Sequence, residues 1–170
     1  MTTIDYNGAT GINFKMLVEN PSAPYSYGEF YLYDSFVSEL LSPATWEQFN
    51  EYSNPFTNGS TGPSSNVDNS LTSSETLIGQ TGTYYICANF SVQTNASSGV
   101  MEFQVRVNDV AVDNMKISQK RSYGDSTIRL CGLANLNADD VVEIWYRTTG
   151  NSSAIVTFNS NFSVFLIPSV

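Results

Sequence analysis

An antiparallel all-β sandwich or barrel is what this sequence predicts, on three observations. From about residue 77 onward, short stretches rich in aromatic and β-branched residues recur between clusters of Gly, Asn, Asp and Ser, as strands recur between turns. "VMEFQVRV" (100–107) alternates strictly, with Met101, Phe103, Val105 and Val107 facing one way and Glu102, Gln104 and Arg106 the other. That is the period of a strand with one wet face. Asn108-Asp109 follows directly, and both residue types tolerate the positive φ of a tight hairpin turn into "VAV" (110–112).

Taken along the chain, "INFKMLVE" (12–19) alternates Phe14, Met16 and Val18 with Lys15 and reads as a strand, as does "GEFYLYDSF" (28–36). "SPATWEQFNEYS" (42–53) reads as a short helix. Pro43 suits a first turn, Thr45 and Gln48 suit a capping box, and Trp46 and Phe49 would share a face. "NPFTNGSTGPSSNVDNSLTSS" (54–74) is polar throughout and reads as a long loop, a length that tends to be functional or exposed. The strands after it are "TYYICANFSV" (83–92), the 100–112 hairpin, "MKISQ", "STIRLCGL", "VVEIWYRT", "AIVTFNS" and "NFSVFLI". No internal repeat or heptad pattern is present.

At 170 residues the chain is expected to be a single domain, 1–170, and its 41% of apolar residues can build a core. Seven basic against 16 acidic residues give a net charge of −9, which argues against nucleic acid or anionic lipid as the partner, since both reward Lys and Arg. No apolar run approaches the ~20 residues of a membrane span. "MTTIDYNGAT" has neither a basic start nor an apolar core, so no secretion leader is expected. Cys87 and Cys131 are the only cysteines. Two buried free thiols are the plainer expectation; a bond between strands depends on a geometry that spacing does not disclose.

Histidine is absent, which removes Ser-His-Asp and Cys-His catalysis and most transition-metal sites. Glu102, Asp109, Asp113, Asp139 and Asp140 could serve glycoside hydrolysis, but no spacing selects a pair. Asp139-Asp140 with Asn137 offers hard oxygen ligands for calcium, while the plainer role for such a turn is capping backbone amides. Gly59 and Gly62 lack the Lys and helix of a phosphate loop. "QKRSYG" (119–124) is expected to be a solvated loop. The expectation is a protein that is not an enzyme, with no metal and no cofactor.

Three strands are apolar on both faces. "TYYICANFSV" carries Tyr84, Ile86, Ala88, Phe90 and Val92 on one side and Tyr85 and Cys87 on the other. "VVEIWYR" carries Val142, Ile144 and Tyr146, with Val141 and Trp145 opposite. The closing "SNFSVFLIPSV" carries Phe162, Val164 and Leu166, with Phe165 and Ile167 opposite. A sandwich buries one face of each sheet inside the subunit, so the second face needs a cover. Another subunit is expected; the amino-terminal region, through Trp46, Phe49 and Tyr52, is the other candidate. Each exposed Phe or Leu so covered contributes roughly 1.5–3 kcal/mol.

Four stretches carry a resemblance. "GQTGTYYICANFSV" resembles the Gly-x-Tyr strand of C1q-like and tumour-necrosis-factor-like domains, and "FQVRVNDVAV" their hairpin. "STIRLCGLANLNADDVVEIWY" resembles the run of leucines ending in Gly-Asp-x-Val, with Ala138-Asp139-Asp140 in place of Gly-Asp. "NFSVFLI" resembles the closing strand, with Val164 in place of a glycine. The order holds over 77–167, while 1–76 diverges. The resemblance implies an all-β antiparallel jelly-roll sandwich (C1q/TNF-like), here with a short helix and a long loop in its amino-terminal part. It also implies a homotrimer formed through the sheet of the terminal strand. The two-faced strands put Tyr85, Trp145 and Phe165 at that interface, and Tyr146, Phe162 and Ile167 are expected there with them.

With no collagen stalk, anchor or fibre shaft in the pattern, the chain is similar to the freestanding jelly rolls that decorate or cement bacteriophage capsids. The expected partners are its own copies and a major capsid protein, with no nucleic acid and no membrane. The expected location is the capsid surface of a virion, and the expected attachment segment begins Thr2, Thr3, Ile4, Asp5, Tyr6 and Asn7. The alternative is a receptor- or glycan-binding knob of a tail or head fibre. It would read its ligand with the 54–74 loop and Tyr25, Tyr27, Phe30 and Tyr31.

Overall fold

The computed structural model describes residues 2–6, 14–18, 26–33, 37–41, 44–50, 59–61, 64–70, 73–94, 99–120, 124–149 and 153–168. In chain order its strands are β1 (Thr2–Tyr6), β2 (Phe14–Val18), β3 (Tyr27–Leu32), β4 (Val37–Leu41), β5 (Glu47–Gln48), β6 (Gly59–Thr61) and β7 (Val67–Ser70). They continue with β8 (Glu75–Ile78), β9 (Gly82–Thr94), β10 (Val100–Val107), β11 (Val110–Lys120), β12 (Gly124–Leu136), β13 (Val141–Thr149) and β14 (Ser153–Ile167). Two six-stranded antiparallel sheets make a sandwich. One, the β10 sheet, runs β11-β10-β13-β8-β7 with β5 also paired to β13; the other, the β9 sheet, runs β12-β9-β14-β3-β6 with β4 also paired to β14. β1 and β2 form a two-stranded ribbon of their own.

Alternation along each strand sets the core. Tyr84, Ile86, Ala88, Phe90 and Val92 of β9, with Phe162 and Val164 of β14, are buried against Met101, Phe103 and Val105 of β10 and Val142, Ile144 and Tyr146 of β13. At its centre Phe90 stacks on Phe103 with ring centroids 4.8 Å apart, and Phe49 meets Phe90 edge-on at 5.2 Å, both favourable arrangements of ring quadrupoles. The Gly-x-Tyr stretch has a packing reason. A Cβ on Gly82 would stand 2.3 Å from Leu166 Cδ1, so glycine leaves room for the Leu166 side chain in its present rotamer at the start of β9. Tyr84 then enters the core and its hydroxyl donates to the Gln80 carbonyl at 2.7 Å. Asn108 and Asp109 take φ of 49° and 65°, both positive as the hairpin requires.

Five expectations need correction. Where a helix is expected over 42–53, residues 44–50 hold a turn and the short strand β5, paired to Trp145 and Tyr146; the remainder of that stretch lies outside the described residues. The tertiary pairing of Glu47 and Gln48 overrides a local helix signal that rested on capping chemistry. The 54–74 stretch is not uniformly loop: β6 and β7 lie within it and extend β3 and β8. Their polar composition hides them because both are short edge strands, whose outward residues face water. "AIVTFNS" and "NFSVFLI" are one continuous strand, β14, with a register shift between Thr157 and Asn159, a bulge rather than a turn. The wet face of β10 is covered, with Glu102 and Gln104 only 8% and 4% exposed. Finally, Cys87 and Cys131 are not free. They stand opposite each other in the β9–β12 register, Cα atoms 4.1 Å apart, and form a disulfide.

Candidate functional site

The outer face of the β9 sheet is built in rows by strand register. Leu133, Tyr85, Phe165 and Tyr27 are successive partners across β12, β9, β14 and β3. They make one apolar row across these four strands, with Leu133 53% and Phe165 43% exposed. Ile167, one row further along, is also exposed. The next row in the other direction holds the disulfide, Ser163 and Glu29, and the one after it Arg129, Asn89, Asn161 and Tyr31. The face is therefore greasy only at the end where β14 finishes, and polar beyond the disulfide. The polar part is internally bonded: Asn161 Nδ2 donates to Glu29, and Arg129 Nε donates to Cys131 Sγ at 3.3 Å.

The six expected interface residues separate in the structure. Tyr85, Phe165 and Ile167 come together on this face. Phe162 and Tyr146 are buried in the subunit's own core, 1% and 2% exposed, and have no surface to offer a second copy. Trp145 lies on the outside of the other sheet, where the Arg106 guanidinium sits 3.9 Å from its ring centroid. Of the expected attachment residues, Thr2 to Tyr6 form β1, and Asn7 lies outside the described residues. Of the aromatic glycan reader, Phe30 is a core residue, Tyr27 belongs to the apolar row, and Tyr25 lies outside the described residues.

The outside of the β10 sheet carries a second cluster that the sequence pattern does not announce. Arg106, Lys116 and Arg147 stand 5.8, 5.5 and 4.5 Å from the ring centroid of Trp46. Glu102 lies under them, taking Lys116 at 3.0 Å, Ser118 at 2.9 Å and Arg147. So the 44–50 segment straps one sheet through cation–π contacts, and the second face of "VVEIWYR" is covered from within the chain. The terminal strand's second face has no such cover among the described residues.

Burial works against the charge on Glu102, but bonds from Arg147, Lys116 and Ser118 outweigh it and hold the carboxyl below its ordinary range. Glu143 behaves oppositely. Burial pushes its carboxyl up, the bond from Trp145 Nε1 (3.2 Å) opposes this, and repulsion from Asp109 and Glu75 adds to the rise. A depressed folded value means that Glu102 stabilises the fold above its unfolded value, near 4.3, and loses that contribution as pH falls through the lower folded value. A raised folded value means that Glu143 costs stability at neutral pH and that acidification relieves the cost. Glu102→Gln is expected to lower stability at pH 7 by about 1.5–3 kcal/mol and to flatten the acid limb of a melting-temperature profile. Glu143→Gln is expected to raise the melting temperature at pH 7 and leave it little changed near pH 4. Profiles of the two variants that matched would overturn the assignment.

Asp139-Asp140 serves its turn. Asp140 accepts from Asn137 N and Asn108 Nδ2, each at 2.8 Å, and Asn108 Oδ1 accepts from Val141 N at 2.9 Å. Asp139 holds a φ of 71°, which Asp tolerates.

Structure comparison agrees with this geometry. The chain is similar to the TNF Eiger of S. frugiperda, with a TM-score of 0.61 and 10% identity over 87% of this chain and 96% of that one. It is similar to murine APRIL, with a TM-score of 0.56 and 7% identity over 83% and 99%. The globular domain of zebrafish complement 1qA gives 0.52 and 13% identity over 85% and 99%. The fold is thus a jelly roll of the TNF and C1q globular-domain kind. No family model matches the sequence, and no curated protein matches it.

Proposed function

We propose that this chain is a non-catalytic assembly protein that closes into a homotrimer through the outer face of the β9 sheet. The observation that carries the reading is the row Leu133–Tyr85–Phe165–Tyr27, continuous across four strands and open to solvent at Leu133 and Phe165. A contiguous apolar strip of this kind marks a contact surface. The trimer in turn is a capsid decoration protein on a phage particle. Three linked copies bind neighbouring coat subunits at once, and effective concentration multiplies weak contacts. The chain's excess of acidic residues suits a protein partner rather than nucleic acid.

Sedimentation of the purified protein tests the assembly: about 56 kDa is expected, three copies of 18.7 kDa. Capsid occupancy of a variant lacking residues 2–10 tests the attachment: occupancy is expected to be lost, and full occupancy would remove the amino-terminal assignment. A glycan-binding knob is the second reading. It is favoured by Tyr31 and Tyr33, whose rings lie 6.2 Å apart beside the polar rows with Tyr33 56% exposed. Binding on a glycan array, with none to shells, would select it.

A further inference from the structure

We propose that neighbouring copies are held in register by an ion pair between Arg129 of one copy and Glu29 of the next, an inference that rests on assembly through the β9-sheet face. The apolar row can drive association but cannot fix register, because hydrophobic contact has no direction. Charges placed across an interface do fix it. On the described outer face of β12, β9, β14 and β3, Arg129 is the one cation. Of the two carboxylates, Asp125 shares β12 with Arg129 and so lies on the same side of the face, where it accepts from Gln93 Nε2 at 3.1 Å. Glu29 is the one on the far side, on β3, where its Oε1 accepts from Asn161 Nδ2.

Arg129 and Glu29 lie on the first and last of these four strands. Arg129 is on β12, an end strand, and Glu29 on β3, three strands away and one row nearer the apolar end. Three strand spacings are about 14 Å, too far for a pair within one copy, and Arg129 makes no ion pair among the described residues. A ring joins two different patches of each subunit head to tail. Turning the β12 edge of one copy onto the β3 side of the next brings the one cation of this described face to the carboxylate on its far side, one row from the apolar contact. The Arg129 Nε bond to Cys131 Sγ ties the guanidinium to the disulfide between those rows, so it stands poised rather than free to fold back.

The test is a charge reversal read by sedimentation over a dilution series. Arg129→Glu and Glu29→Arg are each expected to weaken assembly about tenfold or more, and the double reversal to recover most of that loss. Single variants that assemble like the parent, or a double no better than the worse single, would overturn the pair while leaving the assembly reading intact. A parent protein that stays at 18.7 kDa at every concentration would overturn both. Circular dichroism checks folding. Should a reversal fail to fold, Arg129→Met and Glu29→Gln are read in the same cycle: non-additive losses support the pair and additive ones overturn it.

Discussion

Phe165→Asp is expected to leave the protein folded and monomeric, at 18.7 kDa where the parent sediments at about 56 kDa. Phe165 occupies an inner position of the apolar row, between Tyr85 and Tyr27, and contributes nothing to the core because its side chain points away from it. Substitution there is expected to change the stability of the isolated subunit by no more than about 0.5 kcal/mol, as for other surface sites. In the ring each Phe165 lost forfeits roughly 1.5–3 kcal/mol of apolar burial, the loss occurs in every copy, and each aspartate adds a charge that must be dehydrated without a partner. Phe162→Asp, three residues earlier on the same strand, is the contrast. That side chain is 1% exposed and stacked 6.4 Å from Phe30, so its replacement is expected to unfold the subunit. Full assembly of Phe165→Asp would show that the row is not the contact. A monomeric parent would show that the row waits for a different protein.

The contrast between Phe162 and Phe165 is also where the sequence is most readable. The period of two separates their faces with no knowledge of the fold, and the same alternation places Tyr84, Ile86, Ala88, Phe90 and Val92 in the core, as found. The Asn108-Asp109 turn is readable because its φ values are ones that few residues accept. Register is not readable. Nothing in the one-dimensional pattern says that Cys87 faces Cys131, or that Leu133, Tyr85, Phe165 and Tyr27 fall in one row, since those alignments depend on how four strands slide together. The face of Trp145 was likewise beyond reach. Its apolar character calls for a cover, but only the folded chain shows that the cover is Trp46 with Arg106 rather than a second subunit. The buried Glu102 follows from the same strap: a charged residue alternating on β10 reads as wet until three donors and a tryptophan lie over it.

Phe49→Ala is expected to cost about 3–5 kcal/mol, the range for a large aromatic removed from a core. The 44–50 segment enters the structure twice, with opposite faces. Trp46 lies outside the β10 sheet among the cations, whereas Phe49 passes inside, 1% exposed, edge-on to Phe90 and to Tyr146 at 5.5 Å. Its amide donates to the Ile144 carbonyl at 2.8 Å, so the backbone stays anchored when the ring is removed. The ring's volume is then left as a void rather than closed by movement of the segment. One effect limits the loss. The Tyr146 hydroxyl is buried without a hydrogen-bond partner among the described residues, and water admitted to the new space would supply one, which favours the lower end of the range. Trp46→Ala should cost less, about 0.5–2 kcal/mol, because it removes cation–π contacts at a partly open site. Urea titration of both variants separates the possibilities. A loss for Phe49→Ala several times that for Trp46→Ala places the segment through the sandwich edge as described. Losses below about 0.5 kcal/mol for Phe49→Ala are those of a surface position and would return residues 42–53 to an exterior helix.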